Sequence, residues 1–253
     1  MKLFVYLPFL CTLLLAAGCA TEFQEEISKS DITLDQLESR MQHAMDPTGR
    51  FAGARTYVMR QQITTEQGWM DPPLVQMVEI KFRRPDQFKL TTYTDNDPET
   101  AIIVNGKSGW MVDIKHKKSV ALDGRALRRV RVLVRLTDPG NRFEDVFSKV
   151  ELDKSLVDDE VFYRLTCSGE EGDPVHIYIS AKDYLTRRMR MKFNVGGNIL
   201  DYDSQMLAYS MYEGVMIPDE SVVRQGGSEQ KTKVVYYKLD VPIEDAEFRP
   251  PLY

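Results

Sequence analysis

Two hydrophobic periods alternate along the chain beyond its first thirty residues. The first is helical. Leu34, Leu37, Met41, Ala44 and Met45 recur at helical spacing, and Asp35, Glu38, Arg40 and Gln42 take the opposite face. Thr33 with Gln36 three residues later has the form of a capping box, and Asp46-Pro47-Thr48-Gly49 stops the helix. From there the period becomes two. Val78, Ile80 and Phe82 alternate with Met77, Glu79, Lys81 and Arg83, as in a strand with one buried face. Further strand-like runs cover 55–64, 88–94, 100–104, 109–115 and 119–122, then 161–167, 175–180, 187–195, 206–212, 221–225 and 231–241. Asn105-Gly106 is a hairpin signal between two of them. Ser168-Gly169, Gly172 with Pro174, and Gly196-Gly197 mark other turns.

Between Gly124 and Asp138 the helical period returns. Ala126, Leu127, Val130, Leu133, Val134 and Leu136 occupy about half of a helical wheel, with Arg128, Arg131 and Arg135 opposite. Pro139-Gly140 ends this helix, and 143–147 predicts another short turn. The connections between strands are too short for parallel crossovers, so the sheet must be antiparallel. Such a sheet has an apolar face that something must cover, and the two amphipathic helices are the segments available. The expected fold is mainly β, of the α+β class: a curved antiparallel sheet of about eleven strands wrapped around two or three helices. No repeat, low-complexity tract or Pro/Ser-rich linker divides residues 31–253, which read as one domain.

The N-terminus follows another pattern. Lys2 precedes an apolar stretch from Leu3 to Leu15, about thirteen residues where a membrane-spanning helix needs around twenty. The stretch ends in Ala16-Ala17-Gly18-Cys19, which resembles the bacterial lipobox. That resemblance implies a signal peptide over residues 1–18 and a diacylglyceryl group on Cys19, with a further palmitate-type chain on the new N-terminus. Ala16 stands where the lipobox usually has leucine. Ala20, rather than aspartate, after the cysteine implies outer-membrane sorting and a body facing the periplasm. Residues 19–30, polar and acidic from Thr21 to Ser30, read as a lipidated tether.

Composition narrows the function classes. A net charge of −5 argues against a nucleic-acid partner, which selects for a basic excess. Of Cys11, Cys19 and Cys167, only Cys167 remains a free thiol in the mature body, and it reads as a small buried hydrophobe. His43, His116 and His176 lack metal-ligand spacing, and His116 lies in a basic turn, Lys115-His116-Lys117-Lys118. Nucleophile elbows, phosphate loops and Cys-x-x-Cys pairs are all missing. Asp201 with Asp203, and Asp95 with Asp97, read as solvated edges more readily than as cation sites. The chain is expected to be neither an enzyme nor a holder of a cofactor or metal.

Arg84-Pro85-Asp86-Gln87-Phe88-Lys89-Leu90, followed by Ile103-Val104-Asn105-Gly106-Lys107-Ser108-Gly109-Trp110, resembles the LolA and LolB superfamily of periplasmic and outer-membrane lipoprotein carriers. Those proteins carry an Arg-Pro-x-x-Phe segment and then a Gly-containing hairpin ending in Trp. The tail from Val241 to Phe248 also resembles their final strand and its Phe-bearing end. The resemblance in pattern spans about residues 31 to 250. It implies a half-barrel whose helical lid encloses an apolar cavity for acyl chains. Lipoprotein receptors of this kind bear a protruding apolar loop, and here 67–73 offers only Trp69 and Met70. On that reading Val78, Ile80, Phe82, Phe88, Leu90, Val104, Trp110, Val112 and Ile114 line a lipid cavity on one face. The same residues would equally make a filled core, in which case the protein is an envelope structural or interaction module with a protein partner. Arg128, Arg131 and Arg135 read as the wet face of a helix, with lipid phosphates as the other reading.

Overall fold

The computed structural model describes residues 25–66, 72–136, 141–169, 174–195 and 198–251. The signal segment, Cys19, Trp69, Met70 and the turns at Pro139-Gly140, Gly172 and Gly196-Gly197 lie outside them. Among the described residues fourteen strands join one antiparallel sheet. The first half is a meander of β2 (Thr56–Thr65), β3 (Leu74–Arg83), β4 (Gln87–Thr94), β5 (Asp97–Asn105), β6 (Ser108–Asp113) and β7 (Lys118–Ala121). The second runs through β8 (Lys149–Val157), β9 (Glu160–Ser168), β10 (Val175–Ser180), β11 (Thr186–Val195), β12 (Asn198–Tyr212), β13 (Val215–Gln225) and β14 (Ser228–Leu239). Strand β14 pairs with β2 and joins the halves, while β1 (Glu26–Lys29) pairs with β8 at one edge.

Tight hairpins make this meander possible. Asp95-Asn96, Asp158-Asp159, Glu213-Gly214 and Gly226-Gly227 each place two consecutive residues at positive φ. That is the backbone of the two-residue turn that matches strand twist, and Asn, Asp and Gly tolerate it best. Asp95, weighed above as part of a cation site, is therefore a turn residue. The expected hairpin after β5 also forms, with its loop one residue later than Asn105-Gly106. Asn105 pairs with Ser108 in the sheet, and Gly106 holds the positive φ of 58°.

The sheet order dictates where the helices go. Strand β7 ends at one edge, and β8 starts beside β1 at the other. The connection between them must therefore cross the whole sheet, and it carries α3 (Gly124–Leu136) and α4 (Phe143–Val146). This is why α3 needs apolar residues over half its circumference. Leu127, Val130 and Val134 pack against β2–β5, whereas Val132 and Leu136 pack against the cluster on β9 and β10. Helix α1 (Leu34–Met45) covers the second half with Leu37 and Met41, and a four-residue α2 (Arg50–Gly53) precedes β2. The capping box forms as expected: Gln36 N donates to Thr33 Oγ1 at 3.3 Å, and Thr33 N donates to Gln36 Oε1 at 3.0 Å. Leu37 is fully buried against Tyr163, Leu165, Cys167, Ile177 and Ile179. Burial of a side chain of that size contributes about 1.5–3 kcal/mol.

Four expectations need correction. The strands number fourteen rather than about eleven, because β1 and β8 lie in stretches with mixed polarity on both faces. Residues 26–29, taken as tether, pair with β8, and the preceding Glu25 is fastened by Ser155 Oγ at 2.7 Å and Arg164 at 3.2 Å. The tail from Val241 to Phe248 is not a strand. Asp240, at positive φ, ends β14, and the chain then crosses the outer face of the sheet as a strap with a 3-10 turn at Asp245–Phe248. The fourth concerns the candidate cavity residues, which do not share one face.

Candidate ligand-binding faces

Cross-strand register assigns each candidate to a side of the sheet. Phe82 pairs with Phe88, Ile80 with Leu90, and Phe88 with Val104. Directly paired residues share a face, so Val78, Ile80, Phe82, Phe88, Leu90 and Val104 lie together on the inner side, beneath α3. On β6, however, it is Gly109 that pairs with Val104, while Trp110 pairs with Ile103 and Val112 with Ala101. Trp110, Val112 and Ile114 therefore belong to the outer side, in a cluster with Ala101 and Ile103. The hairpin loop of Gly106-Lys107 fixes that parity, and a one-residue change of offset exchanges the two faces.

The inner face is closed at one end and looser at the other. Tyr57 stacks on Phe82 with ring centroids 5.0 Å apart and on Tyr237 at 5.7 Å, and Phe51 leans on Tyr57 at 5.9 Å. Arg84, from the Arg-Pro motif, holds this end by donating to Ala52 O at 2.8 Å and Ala54 O at 3.1 Å. Its guanidinium also lies 5.0 Å from the centre of the Phe51 ring. Away from this aromatic plug, Met59, Ile63, Leu90, Tyr212 and Ile217 are only half-buried, as are Leu127 and Val130 of α3. Among the described side chains of α3 only Val134 is buried, and Leu133 is 44% exposed. Sequence reasoning missed Met59 and Ile63, although their two-residue spacing from Tyr57 was visible. It also missed the contribution of β13 and β14 through Val215, Ile217, Val234, Tyr237 and Leu239.

The outer face is polar over most of its area but carries the strap. Lys81 donates to Glu247 at 2.8 Å and Lys89 donates to it at 2.6 Å. Burial raises the Glu247 carboxyl, but the two lysines outweigh it and hold the pKa below the usual carboxylate value. Glu79, itself buried, accepts from Arg60 at 2.7 Å and pairs with Lys81 at 3.4 Å. Arg83 pairs with Asp245 at 2.6 Å, and its guanidinium sits 4.9 Å from the centre of the Phe248 ring.

The remaining chemistry-bearing residues have structural partners. Asp203 accepts from Arg188 at 2.7 Å, whereas Asp201 is exposed beside Lys192 at 4.0 Å. His116 caps its basic turn against Asp113 at 2.9 Å. His176 lies beside Thr166 at 3.3 Å, and burial lowers its pKa, which favours the neutral imidazole. Cys167 is completely buried beneath α1, and burial pushes its thiol up to about 12. The thiolate is the reactive form. Native protein at pH 8 should therefore leave Cys167 unmodified by a disulfide reagent for hours, with prompt reaction once denaturant is added. Prompt labelling of the folded protein would contradict the buried position.

No family model and no curated sequence matches the chain. Solved structures do share its architecture. A LolA superfamily protein from Nitrosomonas europaea superposes with a TM-score of 0.61 at 14% identity, over 86% of this chain and 98% of that one. A domain assigned to outer membrane lipoprotein sorting from Vibrio parahaemolyticus gives 0.58 at 10% identity, over 85% and 97%. A DUF1329 family protein from Desulfovibrio piger gives 0.58 at 11% identity over the same shares. Identities this low carry the fold and not the activity. The single curved sheet bridged by helices that connect its two edges is a LolA-like fold.

Proposed function

We propose that this protein is an envelope lipoprotein, lipid-anchored at Cys19 in the outer membrane and facing the periplasm. On this reading it binds an acyl chain of a lipid or lipoprotein on the inner face beneath α3, as carrier, acceptor or sensor, without catalysis. The carrying observation is the gradient on that face. An aromatic plug closes one end, while Met59, Ile63, Leu90 and Ile217 stay partly exposed in the same cluster as α3, whose described side chains bury only Val134 completely. Partly exposed apolar side chains in one cluster with a lid helix offer an acyl chain area to bury, at about 25 cal/mol per Å². The LolA-like fold supports the same reading.

The Cys19→Ser protein, which keeps the chain without its anchor, is expected to take up a fluorescent long-chain fatty acid saturably at micromolar concentration. Leu90→Trp should abolish that uptake at a modest cost in stability, because the space exists. In a filled core the same change overpacks and costs about 1–3 kcal/mol. Absence of saturable uptake would falsify acyl-chain binding and leave a protein-interaction module in its place.

The anchor has its own test. Serine lacks the thiol that receives the diacylglyceryl group, so Cys19→Ser should eliminate labelled fatty-acid incorporation and detergent-phase partitioning. Incorporation persisting in the mutant would move the attachment site elsewhere. Glu25 is fastened to Arg164 and Ser155, so five residues separate it from Cys19. At about 3.5 Å per extended residue, that tether holds the β1–β8 edge within about 20 Å of the membrane.

A further inference from the structure

Strand β5 reads Ala101-Ile102-Ile103-Val104, apolar on both faces, although only its inner face meets α3. An outward-facing strand surface is normally polar, so the outer side of β5 needs a cover. The strap supplies it over Ala101 and Ile103 and leaves Ile114 beside them partly exposed. Between strap and sheet lies a cavity of about 430 Å³, within the roughly 300–1,000 Å³ range of small-molecule sites. Ala101, Ile103 and Val112, each no more than 2% exposed, form its floor. Ala246 and Pro250 of the strap form a wall.

The open side of this cavity is cationic. Lys89 and Arg249 both line it. Lys89 shares the Glu247 carboxylate with Lys81, which also pairs with Glu79, so these four charges balance and Arg249 carries the charge at the rim. Arg249 is exposed and has no ion-pair partner among the described residues. An apolar floor of limited volume with unneutralised positive charge at its rim fits one kind of molecule. We propose that this outer pocket binds a medium-chain amphiphile with a single anionic head group, its hydrocarbon against Ile114, Ala246 and Pro250 and its head against Arg249. The site is separate from the inner face and does not depend on what the inner face binds.

Trp110 packs against the same floor cluster and serves as the reporter. The chain has two tryptophans, so a Cys19→Ser, Trp69→Phe protein leaves Trp110 as the single tryptophan, excited at the red edge where tyrosine does not absorb. Brominated decanoate should quench it saturably, brominated decanol at least tenfold more weakly. Brominated decyl phosphate separates the two possible head groups, and the tighter of the two anions identifies the natural class. Ala246→Phe, at an exposed strap position, should fill the pocket and abolish quenching. Arg249→Glu should weaken it at least tenfold, and neither change should shift the melting temperature. Both variants should retain uptake of the long-chain probe by the inner face, so the two sites succeed or fail separately. Non-saturable quenching, equal affinity for acid and alcohol, or quenching that survives both variants would overturn the proposal.

Discussion

Phe248→Ala is expected to destabilise the protein by about 3–5 kcal/mol, the usual cost of emptying a buried aromatic site. The residue lies in the strap, beyond the last strand. Yet its side chain is completely buried. Its carbonyl accepts from Asn105 Nδ2 at 3.3 Å, and the guanidinium above its ring is tied to Ile243 O at 3.2 Å. In a domain of this size each kcal/mol lowers the melting temperature by about 2–4 °C, so a fall on the order of 10 °C should be seen. Glu247→Gln is the control, and its effect should be much smaller because that carboxylate is one-third exposed and screened by solvent. The two changes also differ in pH dependence. Glu247 has a lowered pKa in the folded state, so its contribution is present above the ordinary value of 4.5 and is lost as pH falls through the lower folded value. Part of the acid destabilisation below about pH 4.5 should therefore disappear in Glu247→Gln and persist in Phe248→Ala. A melting temperature unchanged by Phe248→Ala would mean that the strap is not part of the folded core.

The elements that were legible in the sequence are those whose burial follows a simple period. Helix α1 announced itself through the Thr33–Gln36 box and the Leu37 and Met41 stripe. Strands β3 and β4 did so through strict alternation, and α3 through its arginine face. Strand β8 did not, because its buried position Ser155 is polar and is satisfied only by Glu25, more than a hundred residues away in sequence. The error over the candidate cavity has a sharper cause. Trp110, Val112 and Ile114 do share one face, as their spacing says, but which face depends on how many residues the preceding hairpin uses. Asn105-Gly106 announced a turn, and its shift to Gly106-Lys107 keeps the parity; what hid the assignment is β5, apolar on both faces from Ala101 to Val104. Periodicity specifies which residues of a strand lie together. The turn specifies which neighbouring set they join, and one residue of offset separates a lid-facing site from a strap-facing one.

The same two-residue hairpin leads to the second large expected effect, at Gly109. Its pairing with Val104 places it on the inner face, directly under the start of α3. A Cβ there would stand 2.6 Å from Leu127 Cδ1, 3.1 Å from Leu122 Cδ1 and 3.3 Å from the Ile103 carbonyl oxygen. The carbonyl belongs to the paired strand and cannot retreat. Leu127 can, but only by withdrawing from the inner-face cluster it helps to form. Gly109 is thus needed for close approach of lid and sheet, not for an unusual φ. A graded series should show this: Gly109→Ala displaces the Leu127 side chain, and Gly109→Val lifts the first turns of α3 as well. Overpacking of this kind typically costs about 1–3 kcal/mol. The more telling readout is local. Helix α3 carries Arg128, Arg129 and Arg131, so limited trypsin digestion under native conditions reports its detachment directly. Cleavage within α3 should rise severalfold in Gly109→Ala and by tenfold or more in Gly109→Val, while Cys167 beneath α1 stays protected from thiol reagents. Faster exchange of the long-chain probe should accompany it, since Leu90 and Met59 pack against the same cluster as Leu127 and Val130 of that helix. Identical cleavage rates across the three proteins would show that α3 does not rest on β6, and the lid would have to be sought elsewhere on the sheet.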